Sequence, residues 1–401
     1  MKVAYYSPLP PSRSGIADYS ALLLPALEKR IDVEIARPGR FRRAPTADVS
    51  VYHVGNDPEA HGWIVEALRR RPGVVVLHEL VLHHLVAGIT LARGDAAGYL
   101  AAMERDYGLA GRLLAYGVLD NRIPPLWETR PQDFPLAGEI LRLAQSLIVH
   151  SRYVEDGARA AGYEGPIARV PHPSWRRDRA SRPRGQLVGC FGHLNESKRI
   201  PQLYAAFARL RERLPEARLL LVGGASRRLA DLETPNGVTR EGYVDEEQLW
   251  SLMESCDVVV SLRSPTMGET SGTVVRAVSA GIPLVVSDVG WFSELPDAVA
   301  IKVAPDEREV EALAAQLERL LSDDAARHSM GAAALELATT EHALERVADL
   351  YVAALEEAAG GEAVQDAVAR EVAEAAADVG IGPDDPEAKE LAARLREADI
   401  G

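Results

Sequence analysis

Short apolar runs alternate with longer stretches of helical periodicity along most of the chain. In the first half, Val3–Tyr6, Val33–Ala36, Val49–His53, Val74–Leu77, Leu147–His150 and Ile167–Val170 read as strands. Between them, Asp18–Lys29, Glu59–Arg70 and Gly138–Gln145 repeat apolar residues at helical spacing. Strands that alternate with helices make βα units, and βα units build parallel sheets. The stretch 171–185, PHPSWRRDRASRPRG, breaks the pattern with proline and arginine and reads as a connection.

A second series follows. Its strands are Leu187–Phe191, Arg218–Val222, Val238–Gly242, Val258–Leu262 and Leu284–Ser287. Its helices include Ile200–Leu214, Asp245–Ser255, Thr273–Ala280 and Glu307–Leu321, and a long helical pattern covers Ala325–Ala358. The pattern predicts an α/β protein of two Rossmann-like, doubly wound domains facing each other across a cleft. We place them at 1–174 and 186–340, joined by a linker at 175–185. A helix over 341–358 then crosses back to the first domain, and an acidic Ala/Glu-rich tail occupies 359–401, with Gly-Pro-Asp-Asp-Pro at 382–386 as a break. In such sheets ligands sit beyond the carboxyl ends of the strands, so chemistry is sought in the loops there.

Composition narrows the class. At roughly 100–200 residues per domain, 401 residues suit two domains. The net charge of −14 argues against nucleic acid as a partner, which needs a basic face. The imbalance is uneven: residues 1–180 hold 23 basic and 20 acidic side chains, whereas 359–401 hold 4 and 11. Arginines at 40–43, 69–71 and 176–179 permit peripheral contact with an anionic membrane, although a solvated arginine surface explains them better. No run approaches the roughly 18 apolar residues of a spanning helix, and MKVAYYSPLPPSRSG lacks a signal-peptide core. Cys190 and Cys256 sit in apolar runs and make no disulfide framework or metal cluster. A cytoplasmic enzyme or binding protein is expected.

Two loops in the second half suit a phosphate. The strand LVGCF leads into Gly192-His193-Leu194-Asn195-Glu196-Ser197-Lys198-Arg199, and a helix begins at once. Free N–H groups at a helix start attract anions, and Lys198 adds a full charge. A solvated lysine is the plain alternative, but the chain has only five lysines among 45 basic residues. The second loop, Arg263 to Thr273, holds Glu269, Thr270, Ser271 and Gly272 just before a helix. Glycines admit a ligand to the backbone, and a carboxylate accepts from sugar hydroxyls. Capping by Thr270 or Ser271 is compatible with such binding.

Other motifs fail on spacing. No G-x-G-x-x-G follows the first strand and no Walker A sequence occurs. His78 and His83 are five apart, not the four of H-E-x-x-H, and Gly-Glu-Thr-Ser-Gly is not G-x-S-x-G.

With these residues in view, the chain resembles glycosyltransferase family 4, the retaining glycosyltransferases of GT-B fold (glycosyl transferases group 1). The matching stretches are LIVHSRYVEDGARAAGYEGPIARVPHP, FGHLNESKRIPQLYAAFARL, ARLLLVGG, EGYVDEEQLWSLMESCDVVVSL and MGETSGTVVRAVSAGIPLVVSDVGWFSELPD, which span most of residues 147–322. The resemblance implies a donor nucleotide-sugar on the second domain and an acceptor on the first. It also implies retention at the anomeric carbon, no metal and no cofactor. Lys198 matches the family lysine on the donor diphosphate, and Glu269 to Gly272 match the loop around the sugar. Gly192, Asn195 and Thr273 flank those groups. Two positions depart: His193 stands where the family has arginine, and Arg276 where it has the second of two glutamates. That glutamate accepts ribose hydroxyls, which an arginine cannot do. Glu294 falls near the cleft by the same resemblance.

In the first half the resemblance points to Gly15, in a loop closing over phosphate, and to His78, at a strand end beside the donor sugar. A turn glycine and a core histidine are the alternatives. Arg13 reads as solvated, and His83 and His84 as packed on the next helix. Asn56 and His61 are candidates for the acceptor side, with a helix-start cap as the competing role. The expected reaction moves a hexosyl group from a nucleoside diphosphate sugar to a hydroxyl of a glycan, lipid-linked or small-molecule acceptor. Lys198, His78 and Glu269 are the expected catalytic residues, and 171–185 is expected to serve as a hinge. A non-catalytic sugar-nucleotide or glycan binder is the other reading that the two departures leave open. A phosphorylase or sucrose-synthase-like enzyme is disfavoured, since the shortage of lysines leaves no obvious site for a pyridoxal Schiff base.

Overall fold

Runs such as Val74–Leu77 and Val258–Ser261 have no polar face, so a sheet made of them must be covered on both sides. The computed structural model shows two sheets of this kind. It describes residues 1–12, 14–39, 45–177, 185–360, 362–382 and 385–397. The chain divides into one unit of residues 1–170 and 348–401 and a second of 171–347.

The first unit holds β1 (Lys2–Tyr6), β2 (Asp32–Ile35), β3 (Val49–Val54), β4 (Gly73–Leu77), β5 (Ala144–Val149) and β6 (Ile167–Arg169), all parallel, in the order β2-β1-β3-β4-β5-β6. Ile64, Val65 and Leu68 on the Pro58–Arg70 helix pack on Val75, Leu77 and Leu147. Asp57 caps that helix by accepting from Glu59 N and Ala60 N. A helix over Ala96–Leu119, kinked at Gly108, stands outside the pattern read from the sequence.

The second unit holds β7 (Leu187–Phe191), β8 (Arg218–Val222), β9 (Val238–Glu241), β10 (Val258–Ser261), β11 (Leu284–Ser287) and β12 (Ala300–Val303), also parallel, in the order β12-β11-β10-β7-β8-β9. Leu203, Phe207 and Leu210 of the Ile200–Arg213 helix pack against Leu219, Leu221 and Val260, and Leu313 and Leu317 join them. Strand β12, AIKV, is too short and too polar to stand out in the pattern.

Chain direction reverses its order of addition at β7 and β10, which are neighbours in the second sheet. Such a switch point leaves an opening beyond the carboxyl ends, and the two phosphate-candidate loops are the ones that follow β7 and β10. Close approach here requires glycine. Gly223 has φ +138°, and a β-carbon on it would lie 2.2 Å from the carbonyl oxygen of Gly192. Gly223→Ala is therefore expected to cost more than about 2 kcal/mol in urea unfolding, with the β7 and β8 loops forced apart.

Two expectations change. The Gly138–Gln145 helix ends at Leu143, and β5 begins at Ala144. The pattern over Ala325–Ala358 is two helices, Asp324–Thr339 and Leu344–Ala359. Thr339 and Thr340 turn their hydroxyls back to the carbonyls of Leu335 and Glu336, and the break lets His342 bind the connection. His342 Nδ1 lies 2.7 Å from His172 O, and Ser174 N donates to His342 O. Residues 171–177 are further tied to the second unit by Ser174 Oγ on Ala338 O and Trp175 N on Ser279 Oγ. The tail forms helices over Glu362–Asp378 and Pro386–Glu397. Among the described residues no helix is long and apolar enough to cross a membrane.

Candidate functional site

The loop after β7 is shaped around Lys198. Gly192 turns with φ +92°, Leu194 N donates to Gly224 O, and a 3-10 turn over Glu196–Lys198 delivers the lysine. Arg199 then enters the left-handed region and starts the Ile200–Arg213 helix, held by its ion pair to Glu309. Lys198 is only 5% exposed. Its Nζ donates to Phe191 O, and a β-carbon on Gly192 would lie 3.2 Å from Nζ and 3.1 Å from Thr273 Oγ1. The ammonium therefore lies beside the start of the Gly272–Ser279 helix. Burial, with Cys190 and Glu269 opposing and Arg263 adding to the fall, brings its pKa from 10.5 down to about 8.

The loop after β10 closes the other side. Arg263 pairs with Glu269 at 2.6 Å and donates to Ser197 Oγ at 3.0 Å, which links the two loops. The second oxygen of Glu269 accepts from Thr266 Oγ1 at 3.0 Å and Met267 N at 2.7 Å. Glu269 is thus bound up in organising its own loop, where free acceptance from sugar hydroxyls was expected. Ser271, not Thr270, is the cap, and its hydroxyl accepts from Val274 N. The backbone N–H groups of Gly272 and Thr273 belong to the first turn of that helix.

The remaining candidates of this unit spread around the core pair of loops. Asn195 Oδ1 accepts from Ser197 Oγ at 2.8 Å. His193 is exposed, 3.5 Å from where a β-carbon on Gly224 would stand. Glu294 is exposed at the end of the Gly290–Glu294 turn, whose Gly290 packs on Thr266. Arg276 is buried with its guanidinium 4.1 Å from the ring centre of Trp175 and 4.0 Å from Glu246. Trp175 comes from the connection, so the arginine that replaces the expected glutamate is stacked on an aromatic ring and faces a carboxylate from the Glu246–Glu254 helix.

In the first unit His78 lies just past β4, with its backbone N bonded to Val54 O. It is buried in a cluster drawn from the carboxyl ends of three strands and two helices. His53 Nδ1 is 2.9 Å from His78 Nε2, the His78 and His150 rings are 4.9 Å apart, and Tyr19 meets His78 edge-on at 4.9 Å. Tyr351, from the Leu344–Ala359 helix, lies parallel to His53 with its hydroxyl 3.5 Å from Nε2. Burial, then His150 and His61, hold His53 well below its usual pKa.

The acceptor-side candidates fare differently. His61 is buried, its Nδ1 donates to His53 O at 3.0 Å, and burial lowers its pKa to about 4. It lines no open surface, because its place on the Pro58–Arg70 helix faces the core. Asn56 Oδ1 accepts from Leu85 N in the first turn of the His83–Ile89 helix. Gly15 is exposed and opens the Gly15–Leu27 helix, with Ser14 as cap. His83 packs on Tyr99 of the long helix, whereas His84 is exposed. Arg13 and the 40–43 and 178–179 arginines lie outside the described residues. Among the described residues no cluster of His, Cys, Asp and Glu could hold a metal ion.

Sequence reasoning passed over Arg263, Ser197, His53 and Tyr351. Arg263 had a signal, since it directly follows a strand in the loop already singled out. His53 lay hidden inside an apolar strand run, and Tyr351 lies some 300 residues from it.

Residues 172–337 match the family described as glycosyl transferases group 1. The match lies within the second unit. Glycogen synthase of Mycobacterium tuberculosis is 30% identical over 176 residues, 41% of each chain. D-inositol 3-phosphate glycosyltransferase of Corynebacterium aurimucosum is 32% identical over 167 residues, 38% of each. The chain thus spans about two fifths of the curated relatives it matches. Among solved structures, sucrose-phosphate synthase of Thermosynechococcus elongatus aligns with TM-score 0.62 at 17% identity, covering 89% of this chain and 98% of that one. Anabaena HepE, solved with UDP and glucose, aligns with TM-score 0.57 at 16% identity, covering 89% and 100%. The fold is GT-B: two Rossmann-like units, each on a parallel six-stranded sheet.

Proposed function

We propose that this protein is a retaining glycosyltransferase that moves a hexosyl group from a nucleoside diphosphate sugar to a hydroxyl of a glycan, lipid-linked or small-molecule acceptor, without a metal. The second unit holds the donor and the first the acceptor. The observation that carries this reading is Lys198. An ammonium buried beside a helix start and a glycine turn costs the fold stability, and the cost makes sense where a diphosphate is to be met. Departure of a diphosphate builds negative charge on its oxygens. Lys198 and the N–H groups of Gly272 and Thr273 oppose that charge without having to reorganise. Arg263 pairs with Glu269 and holds its loop in place, and His78 is assigned to the transferred sugar. The HepE structures with UDP and UDP-glucose support a nucleotide-sugar as donor.

A thermal-shift screen with UDP-, GDP-, ADP- and dTDP-sugars tests the reading. One of them is expected to stabilise the protein by about 2.7 kcal/mol at 100 times its dissociation constant. The shift should shrink as pH rises through about 8, because the diphosphate binds the protonated form of Lys198 and that form is lost there. Radiolabelled donor then separates the readings. Transfer or slow hydrolysis supports the enzyme, binding alone supports a sugar-nucleotide binder, and no shift with any donor rejects both.

A further inference from the structure

The buried histidines of the first unit have readable tautomers. His61 Nδ1 points at His53 O and His83 Nδ1 at Phe134 O, at 3.0 and 2.8 Å. A carbonyl only accepts, so both rings donate through Nδ1. Burial holds both near a pKa of about 4, so each is neutral and its Nε2 is an acceptor. Tyr99 O–H, 2.9 Å from His83 Nε2, must therefore be the donor. This polarity is the chemically natural one, because a phenol is the stronger acid and an imidazole nitrogen the stronger base.

The same pair recurs at His53. Its Nε2 faces the Tyr351 hydroxyl at 3.5 Å, its ring lies within 6° of parallel to that of Tyr351, and its Nδ1 faces His78 Nε2 at 2.9 Å. Tyr5 packs over the His53 ring at 4.6 Å and excludes water from it. A neutral ring carries one proton, and its position is set by its partners. We propose that Tyr351 is a positioning residue: its hydroxyl donates to His53 Nε2, fixes the His53 proton on Nδ1, and thereby gives His78 Nε2 a donor. His78 is then held as the Nδ1–H tautomer, a hydrogen-bond donor rather than a base. The consequence for transfer rests on the role assigned to His78 above. The tautomer chain itself does not.

Two-bond 1H–15N spectra of the full-length protein labelled at histidine test this near pH 7.5, with signals assigned through His53→Gln and His78→Ala. Both His53 and His78 are expected to carry their proton on Nδ1. In Tyr351→Phe the His53 proton should redistribute toward Nε2. The kcat for transfer should then fall about tenfold, the size of one well-directed hydrogen bond, with the donor KM within about twofold. A proton on Nε2 of His78 in the unaltered protein overturns the inference, as does an unchanged His53 pattern in Tyr351→Phe. If the tautomers are as stated but His78→Ala transfers normally, the tautomer chain stands and the catalytic reading of His78 falls.

Discussion

Lys198→Met is expected to cripple transfer and to make the protein more stable. Loss of one preorganised donor to the leaving group lowers turnover by about 10²–10³. The gain in stability follows from burial. The ammonium has a pKa of 10.5 in the open chain and about 8 in the fold, a difference worth roughly 3 kcal/mol against the fold. Methionine matches the lysine stem in length and removes the charge. About 1 kcal/mol is given back through the lost hydrogen bond to Phe191 O. The net is roughly 2 kcal/mol, or roughly 4–8 °C in Tm for a domain of this size. The penalty is full below pH 8, where the folded protein must hold a buried cation. It fades between about 8 and 10.5, where only the unfolded chain still binds the proton. The Tm gap between variant and parent should therefore be widest at pH 7 and close toward pH 10.5. Melting curves at both pH values, beside a transfer assay, check the two halves separately. A variant that transfers normally removes Lys198 from the chemistry. A variant no more stable at pH 7 removes the argument that the lysine is present at the expense of the fold.

The same residue shows why part of the site could be read from the sequence. Scarcity of lysine, a preceding strand and an immediate helix start are all local, and local features survive in one dimension. The strand runs are legible for a related reason: a strand buried on both faces must be apolar throughout, as in Val74–Leu77. What stays hidden is pairing over distance. Arg263 was only the first residue of the second loop, but its link to Ser197 across 66 positions decides how the two loops meet. Arg276 read as a missing acceptor, and its distant neighbours Trp175 and Glu246 explain how a buried guanidinium is tolerated there. His61 read as an acceptor-side candidate although the expected helix already began at Glu59; as the fourth residue of the Pro58–Arg70 helix it faces the core. The long helix of 325–358 broke for a similar reason, since nothing near His342 in sequence announces its bond to His172.

His78→Ala should separate binding from chemistry. His78 belongs to the first unit, whereas Lys198, Arg263 and the Gly272–Ser279 helix belong to the second. Calorimetric titration with the nucleoside diphosphate should therefore give an unchanged Kd in the variant. On the role proposed for His78, transfer should fall by at least about a hundredfold, because a donor to the sugar matters only once the glycosidic bond begins to stretch. Removing a buried ring also opens space beside Tyr19, His53 and His150, at a cost of about 2–4 kcal/mol. A second variant guards against misreading that loss. His78→Gln keeps a hydrogen-bond donor and most of the volume, so it should retain more transfer than alanine at similar stability. If glutamine and alanine are equally inactive while both bind nucleotide, a donor alone does not suffice and the imidazole itself is required. If both transfer at the parent rate, His78 is a core histidine and no more, and the chemistry resides with Lys198 and its neighbours in the second unit.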